Sequence, residues 1–437
     1  MDLRLSAPRL VKIVVGVPVV AALAAVGIAH APTSHREVSA RSNEAAAAGA
    51  RWTSAWGAAA QAPVAGDEDS GPNWSTRGFA GQTVRQVVRV GIGGTRIRVR
   101  LSNAFGTKPL RIAGATAGRS AGGALVWPRT ITPITFAHAA TAVIPPGGEL
   151  VSDPVALPAS PLERLAISLR LTAPTGPATF HRFAQIDSFR ANGGHLSDVG
   201  ADAFKESTSS WYYLTGVEVA GAPARGSVVV FGDSLVDGVG ATKDADARFP
   251  DDLQERLIAS HRPLGVVNAG IGSNKLLNSS PCGGEKGISR FTRDVLGRPG
   301  VRSVIVHLGA NDIGAPQVDD PCVRPNPQVT AQQLIDGHRA LIRAAHAHGV
   351  RAVGMTLPPM KGALFPFWTP KVEQLREELN RWIRTSHEYD AVIDADRAMS
   401  DPADQRMPRP GYVFMDGLHP DDAGYQAIAN AVDLAAL

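Results

Sequence analysis

The chain has 437 residues, more than one typical domain needs and enough for two. A hydrophobic fraction of 44% and a charged fraction of 19% are ordinary for a soluble globular protein. The formal charge of +4 includes three basic residues near the N-terminus, and no Lys/Arg run with interleaved aromatic residues occurs. Composition therefore gives no indication of a nucleic-acid partner, and we expect none.

Residues 1–31 are typical of an export signal peptide. Basic residues precede the apolar run Ile13–Ile28, and the tripeptide that ends at Ala31 resembles a cleavage site. Pro32 would hinder cleavage there, so cleavage after Ala29 and retention as an uncleaved N-terminal anchor stay open. The apolar run is short for a membrane span, and we expect a secreted, extracellular protein with no stable membrane span after processing.

Residues 32–50 are rich in Ala and polar residues, which predicts a disordered linker. Residues 51–221 are predicted to form an all-β, sandwich-like accessory domain. Arg85–Ile92 and Thr95–Leu101 alternate polar and apolar residues around Gly93-Gly94, which predicts a hairpin with a primed turn. Further short strands, separated by Gly, Pro and Ser turns, are predicted at Leu110–Ala115, Ile131–Phe136, Glu149–Leu157, Leu165–Leu171 and Trp211–Val219.

The pattern changes near residue 226. Ser227–Phe231 is a continuous apolar run, as expected for a strand buried on both faces. Similar runs recur at Gly265–Ala269, Ser303–Leu308, Arg351–Leu357 and Ala391–Asp394. Helical segments lie between and after them, at Asp251–His261, Thr330–His348, Lys371–His387 and Asp421–Leu437. Strands that alternate with helices predict parallel βαβ units in a three-layer α/β domain over residues 226–437, in which ligands bind beyond the C-terminal ends of the strands.

Three residues in this half supply the parts of a nucleophilic site. Ser234 directly follows the first buried strand, within Gly-Asp-Ser-Leu, and should project from the edge of the sheet. A serine hydroxyl is a poor nucleophile until a base takes its proton, and His419 is the candidate base. Asp416 lies three residues before His419, so one tight loop can present both side chains and hold the imidazole in the tautomer that faces Ser234.

Asp416 and His419 have two other interpretations, since they could cap the last helix or ligate a metal together with Asp421. A metal site would need further ligands at recognisable spacing, and the sequence contains neither an HExxH nor a CxxC motif. We therefore expect no metal and no other cofactor.

An acyl-transfer site also needs hydrogen-bond donors for the oxyanion of the tetrahedral intermediate. The Gly-rich turn after the second buried strand offers backbone N–H groups at Gly272 and Ser273. Asn311 offers a side-chain amide after the third strand, and the N–H of Ser234 can be a further donor. Asp233, next to Ser234, and Asp312, next to Asn311, are predicted to support the site.

A second serine motif is a decoy. Gly118–Gly122 matches the G-x-S-x-G nucleophile pattern, with Ser120 at its centre. That motif requires a buried strand before it and a helix after it, whereas this segment lies in a Gly/Ala-rich connection among predicted β-strands. We reject it as a catalytic site.

Two cysteines, Cys282 and Cys322, suit an oxidising compartment and are predicted to form a disulfide. The bond would close a loop of 40 residues, worth on the order of 4 kcal/mol in the chain-entropy model. Both cysteines fall in insertions after predicted strands, on the side of the sheet where ligands bind. Two unpaired thiols are the alternative.

Through these segments the chain resembles the SGNH hydrolase superfamily, the GDSL esterases and lipases. Gly-Asp-Ser-Leu carries the family's serine at Ser234, Gly-Ala-Asn-Asp its asparagine at Asn311, and Asp-Gly-Leu-His-Pro its histidine at His419 with the aspartate at Asp416. The resemblance covers about residues 227–437. It implies a flavodoxin-like three-layer α/β/α domain and metal-free ester hydrolysis, and the upstream β-region is similar to one in some secreted actinobacterial relatives.

The family glycine has a less regular counterpart. Similar sequences read Asn-x-Gly-Ile-x-Gly-Asn, and this spacing puts Ser273 where the second glycine is expected, with Gly272 just before it. Because the donor is a backbone N–H, serine need not abolish activity. The sequence leaves open which of the two residues donates.

The leading functional hypothesis is a secreted serine esterase that is acylated at Ser234 and deacylated by water. A β-sandwich is a common form of glycan-binding module, which favours acylated carbohydrate as the substrate, together with short-chain acyl esters. A lipase or lysophospholipase activity and an acyltransferase activity are alternatives with the same site, and a non-catalytic glycan-binding protein is a third class. Gly362–Trp368 could line an acyl pocket or pack in the core, and a deep apolar pocket there would favour lipids over sugars.

Overall fold

A computed structural model describes residues 51–68, 70–221 and 223–437. The predicted export signal and the predicted linker lie outside the described residues. The residues from 51 onward belong to one compact unit, in which a β-rich region is followed by an α/β region. The predicted domain boundary between 221 and 226 stays a prediction.

The β-rich region consists of two main antiparallel sheets. Its strands are β1 Thr53–Gly57, β2 Gln82–Arg89, β3 Arg96–Ser102, β4 Leu110–Ile112, β5 Gly114–Gly122, β6 Leu125–Val126, β7 Thr132–Ile134, β8 Ala142–Ile144, β9 Glu149–Val151, β10 Arg164–Leu171, β11 Phe180–His181, β12 Ser188–Asn192, β13 Glu206–Thr208, β14 Trp211–Tyr212 and β15 Leu214–Ala220. One sheet has the order β1-β15-β3-β9, and the other has the order β13-β12-β2-β10-β5-β6 with β7 added to β5. Apolar side chains of both sheets share one core, as expected for a sandwich-like region.

The predicted hairpin of β2 and β3 is wrong, although both strands exist. β2 pairs with β10 on one side and β12 on the other, while β3 lies in the other sheet between β15 and β9. Both edges of each strand are therefore occupied, and the chain crosses between sheets at Gly93-Gly94. There the N–H of Gly94 donates to Ala159 O at 2.9 Å and that of Thr95 to Ala220 O at 2.9 Å.

The α/β region is built on a five-stranded parallel sheet. Its strands are β16 Gly226–Gly232, β17 Leu264–Gly270, β18 Val301–His307, β19 Arg351–Met355 and β20 Ala391–Ile393. Their order, β17-β16-β18-β19-β20, is the flavodoxin-like 2-1-3-4-5 arrangement. This confirms the predicted fold class.

Helices cover both faces of this sheet. The α-helices are α1 Ser234–Asp237, α2 Phe249–Ala259, α3 Gly287–Phe291, α4 Ala310–Gly314, α5 Ala331–Ala347, α6 Pro370–Thr385, α7 Ala395–Met399 and α8 Asp422–Asn430. A π-turn follows α3 at Thr292–Leu296, and 3₁₀ turns lie at Ala315–Gln317, Pro321–Val323 and Leu434–Ala436. The last helix is shorter than the predicted Asp421–Leu437. It ends at Asn430, and the chain then forms a 3₁₀ turn capped by Asp433. In the part of the chain that is described, none of the helices has the length and apolar character needed to cross a bilayer.

The alternating side chains of β16 build the three layers. Val229 and Phe231 pack with α5 and α6 in one core, and Val228 and Val230 pack with α2 and α8 in a second core. All residues of β16 are buried, and the polar residues Asp233 and Ser234 follow its C-terminal end at Gly232. The fold therefore delivers Ser234 to the edge where parallel sheets bind ligands.

The β-rich region and the α/β region touch along β1 and β17. The N–H of Ser54 donates to Pro299 O at 3.0 Å, and a Cβ on Gly265 would lie 2.2 Å from Ser54 O. The buried guanidinium of Arg298 donates to Ala58 O at 3.0 Å and to Thr215 O at 2.7 Å. Side chains of the α/β region thus depend on carbonyl oxygens of the β-rich region.

Candidate active site

Ser234 is the first residue of α1, and one residue separates it from the end of β16. The preceding Asp233 caps this short turn, since its Oδ1 accepts from the N–H of Leu235 at 3.2 Å. The same oxygen bonds to Nδ1 of the buried His307 at 3.1 Å, and His307 was not among the predicted site residues. Gly238 ends the turn with a φ of +103°. The strand and the capped turn together fix the position of the serine.

The structure brings the three predicted side chains of the nucleophilic site together. His419 Nε2 lies 2.8 Å from Ser234 Oγ, and His419 Nδ1 lies 2.5 Å from Asp416 Oδ2. Asp416 Oδ1 accepts from the N–H groups of Leu418 at 2.9 Å and His419 at 3.0 Å. The loop therefore holds the carboxylate and the imidazole in one orientation, and the Nε2 distance suits removal of the serine proton.

The electrostatics of Asp416 fit this arrangement. Burial opposes its ionisation, but the hydrogen bond and charge of His419 and two backbone N–H groups outweigh burial and hold the pKa of Asp416 below its usual value. The carboxylate is therefore ionised throughout the neutral range. It can stabilise an imidazolium when His419 takes up a proton.

The loop after β17 separates the roles of its two candidate donors. The N–H of Gly272 donates to Asp237 Oδ2 at 2.7 Å, so it is not available to an oxyanion. Ser273 has a φ of +61°, and its N–H has no hydrogen-bond acceptor among the described residues. Both residues line the same cavity as Ser234. Of the pair that the sequence left open, Ser273 is the one with a free N–H.

The remaining predicted residues also lie at this edge. The N–H of Ser234 has no acceptor in the described parts of the chain, and Asn311 uses one amide hydrogen for Asn274 O at 3.2 Å. Asp312 accepts from the N–H groups of Leu276 at 2.7 Å and Leu277 at 3.0 Å. Burial raises the pKa of Asp312 to about 6. Asp312 thus supports the loop after β17 without facing the nucleophile.

A cavity of about 740 Å³ opens beside Ser234 and His419. Its walls are largely apolar, and the side chains that define them include Phe183, Val318, Met360, Phe365, Phe367 and Phe414. Phe365 and Phe367 come from the segment 362–368, and Phe367 also belongs to the core of the α/β region. Both interpretations of that segment therefore hold. Met415, next to Asp416, lines the cavity with 80% of its surface exposed.

Sequence reasoning missed the contribution of the β-rich region to this cavity. Phe183 and Gln185, which follow β11, both line it. A Cβ on Gly272 would lie 2.6 Å from the Phe183 ring, so glycine is required there by close packing. No local pattern marks these residues, because the contact joins segments about 90 residues apart in the chain (183 to 272).

Cys282 and Cys322 form a disulfide, as predicted. The N–H of Cys282 also donates to Cys322 O at 2.9 Å. Val318 and Val323, on either side of Cys322, line the cavity, and Lys275 Nζ donates to Val323 O at 2.6 Å. The disulfide therefore ties down a wall of the cavity.

Two alternative sites have no support in the structure. Ser120 lies within β5, in a strand rather than in the predicted connection, and the chain continues into β6 instead of a helix. Within the described ranges, no group of three or more His, Cys, Asp or Glu side chains could hold a metal ion. Asp421 caps α8 by accepting from the N–H of Gly424 at 2.9 Å.

Residues 230–427 match the model of the GDSL-like Lipase/Acylhydrolase family. Among solved structures, the chain is similar to a lipase/acylhydrolase from Enterococcus faecalis (20% identity, 47% of this chain and 92% of that chain, TM-score 0.36). It is also similar to a GDSL-like lipase from Bacteroides thetaiotaomicron (16% identity, 48% and 87%, TM-score 0.37) and to an aryl esterase from M. smegmatis (18% identity, 47% and 95%, TM-score 0.37). No curated protein matches the sequence significantly.

Proposed function

The chain belongs to the SGNH hydrolase superfamily through residues 230–427, and we propose that it is a serine esterase that cleaves carboxylic esters through an acyl-serine intermediate at Ser234. One observation carries the proposal: the continuous hydrogen-bond chain Asp416–His419–Ser234 ends beside the cavity. A serine, an oriented base and nearby oxyanion donors are the parts that ester cleavage requires.

In the proposed first step, His419 Nε2 takes the proton of Ser234 as Oγ attacks the ester carbonyl. The C=O electron pair moves to oxygen, and the N–H groups of Ser234 and Ser273 and the amide of Asn311 stabilise the resulting oxyanion. When the intermediate collapses, the C–O bond to the alcohol breaks and His419 returns the proton to the departing alcohol oxygen. Water then attacks the acyl-serine by the same route and releases the acid.

The acyl group is proposed to lie in the cavity. Aromatic and aliphatic side chains dominate the cavity walls, which supports an apolar acyl chain of medium length rather than an acetyl group on a sugar. Burial of each CH₂ group of such a chain is worth about 0.8 kcal/mol. Acylated carbohydrate and short-chain esters are the competing substrates. For either of them, we expect esters of short acids to be cleaved faster than esters of medium-length acids.

Hydrolysis of p-nitrophenyl acetate and p-nitrophenyl octanoate by the full chain tests the assignment of the nucleophile and the preference for an apolar acyl chain. We expect the octanoate to have the larger kcat/KM and Ser234→Ala to abolish turnover of both esters while the protein stays folded. Ser120→Ala, in the decoy motif, is the matched control and should retain wild-type turnover. Turnover that persists in Ser234→Ala would refute the assignment of the nucleophile, and a preference for acetate would refute the apolar acyl chain.

Export of the protein is also proposed. The basic and apolar pattern of residues 1–31 supports it, and so does the disulfide between Cys282 and Cys322, since such bonds persist in oxidising compartments. The intact mass of protein recovered from the culture medium should show loss of the N-terminal segment. Full-length protein confined to the cytoplasm would contradict export.

A further inference from the structure

His181, the last residue of β11, connects the β-rich region to the candidate active site. Its side chain is 3% exposed and lies against the ring of Trp211, with ring centroids 5.5 Å apart. Because a carbonyl oxygen only accepts, the ring donates from Nδ1 to Ala59 O at 3.0 Å. Its Nε2 bonds to Asp237 Oδ1 at 2.9 Å. The imidazole is therefore fixed on one side by the β-rich region and on the other by the last residue of α1.

Asp237 continues this connection to the loop after β17. It is fully buried, its Oδ1 faces His181, and its Oδ2 accepts from the N–H of Gly272 at 2.7 Å. The peptide that precedes Gly272 is thereby anchored, and the next peptide carries the free N–H of Ser273. Asp237 is also three residues after Ser234 on the same short turn. One carboxyl group thus relates the nucleophile to the proposed oxyanion donor.

A second contact from the β-rich region reaches the same loop. The ring of Phe183, two residues after His181, occupies the space where a Cβ of Gly272 would lie, at 2.6 Å. The loop is thus held by a hydrogen bond through Asp237 and by direct packing of an aromatic ring. Both contacts originate in a three-residue stretch of the β-rich region, His181–Phe183, at the end of β11.

We propose that His181 is a positioning residue of the esterase: it fixes the Asp237 carboxyl group, and through Gly272 it holds the Ser273 N–H in the direction of the oxyanion. This rests on the proposed function. The β-rich region is then part of the catalytic unit and not only an attached module. Misplacement of a donor by about 1 Å can cost on the order of 10²-fold in rate, so the arrangement can matter without any contact between His181 and substrate.

The test compares His181→Leu with His195→Leu in the full chain, because leucine can make neither of the hydrogen bonds of His181. His195 is a matched control, because it lies in the same region and its Nδ1 bonds to Asp198 at 2.7 Å. We expect kcat of His181→Leu to fall by about 10- to 100-fold with KM changed less than about twofold, because the oxyanion exists only in the transition state. His195→Leu should match the wild type. Hydrogen exchange of the peptide 270–276 should become faster in His181→Leu only.

The outcomes distinguish failure of the esterase activity from failure of the positioning role of His181. If the wild type shows Ser234-dependent turnover and His181→Leu retains it, the positioning role is refuted and the esterase stands. If the wild type has no turnover, the esterase fails, and unchanged exchange of peptide 270–276 would refute the positioning role as well. If KM rises while kcat stays constant, the residue acts on ground-state binding and the proposal is wrong.

A second pair of variants covers the case in which His181→Leu does not fold. Asparagine at 237 can accept from Gly272 with its oxygen and place its amide group against His181 Nε2, whereas serine is too short to reach both. We expect Asp237→Asn to retain at least about ten times the kcat of Asp237→Ser. Equal kcat values in the two folded variants would overturn the proposal.

Discussion

Ser273 adopts a backbone conformation that residues with side chains rarely occupy, with a φ of +61°. Such a conformation costs on the order of 1–3 kcal/mol and persists only where surrounding contacts determine it. Here the contacts are on the preceding residue: Asp237 bonds to the N–H of Gly272, and Phe183 packs on its Cα. The strain at Ser273 therefore coincides with the free N–H that the proposed mechanism uses.

Asp416→Asn tests how the imidazole is oriented. Asparagine can accept from the backbone N–H groups of the loop, but its amide hydrogens can turn toward His419 and favour the wrong tautomer. We expect the fold to be spared and kcat to fall by about 10³- to 10⁴-fold. Near-ultraviolet circular dichroism with steady-state kinetics checks both. Unchanged kinetics would assign the orienting role to another group.

Asp252, in the first turn of α2, is a residue whose charge affects stability near neutral pH. Burial, and then the nearby carboxylates of Asp251, Glu255 and Asp422, raise its pKa from the ordinary value to about 7. In the unfolded chain the Asp252 carboxyl group loses its proton near pH 4. Between about pH 4 and 7 the folded protein therefore keeps a proton that the unfolded chain has lost. Its contribution to stability is complete below that range and is lost as pH rises through 7.

Asp252→Asn should therefore stabilise the protein at pH 8 and have a smaller effect at pH 5. The expected gain is on the order of 1–2 kcal/mol, less than the full pKa shift implies, because solvent partly screens the side chain. Urea unfolding at the two pH values measures it. A gain that is equal at both pH values would show that charge is not the cause.

The loop closed by the disulfide contributes Val318 and Val323 to the wall of the cavity. The bond spans 40 residues and would contribute about 4 kcal/mol to stability in the chain-entropy model. Replacing both cysteines, Cys282→Ser with Cys322→Ser, should lower the unfolding free energy by up to this amount. Because Val318 and Val323 would be less restrained, KM for p-nitrophenyl octanoate should rise more than KM for the acetate.

Reduction of the wild type offers an independent control for this prediction. Dithiothreitol should reproduce the behaviour of the double variant in the wild type and have no effect on the variant itself. Equal changes in KM for both esters would mean that the loop does not contact the acyl chain.

Local sequence patterns predict some elements well and their partners poorly. The helix predicted at Thr330–His348 forms as α5 and begins with a Thr330-x-x-Gln333 capping box, in which the side chains satisfy N–H groups only three residues away. The five buried strands also appear where continuous apolar runs predict them. The hairpin at Gly93-Gly94 does not form, because the partners of β2 and β3 are chosen by contacts with distant strands.

In the candidate site, too, local sequence predicts some residues, and distant contacts determine the others. Ser234, Asn311, Asp416 and His419 could be predicted because each stands in a short segment whose chemistry is local. His181 could not be predicted, since its importance depends on a hydrogen bond to a residue 56 positions away. The sequence also left Gly272 and Ser273 equivalent, and only the hydrogen bond from Gly272 to Asp237 separates them.

The α/β region depends on the β-rich region for part of its stability. Removal of residues before 226 would take away Ala58 O and Thr215 O and leave Arg298 with Asp294 O, its acceptor within the α/β region. Water could replace the two lost acceptors, so the main expected cost is exposure of apolar surface that the β-rich region covers. The removal would also expose the β17 residue Gly265, which packs against Ser54.

We therefore expect residues 226–437 alone to be poorly folded and inactive, although the proposed nucleophile, the proposed base and Asn311 are all present. Thermal unfolding and octanoate hydrolysis of the fragment, beside the full chain carrying Ser234→Ala as a folded but inactive reference, separate loss of structure from loss of chemistry. If the fragment unfolds cooperatively at the temperature of the full chain and retains its kcat, the predicted boundary at 226 is a true domain boundary. The positioning role of His181 would then be excluded as well, because the oxyanion loop would be competent without the β-rich region.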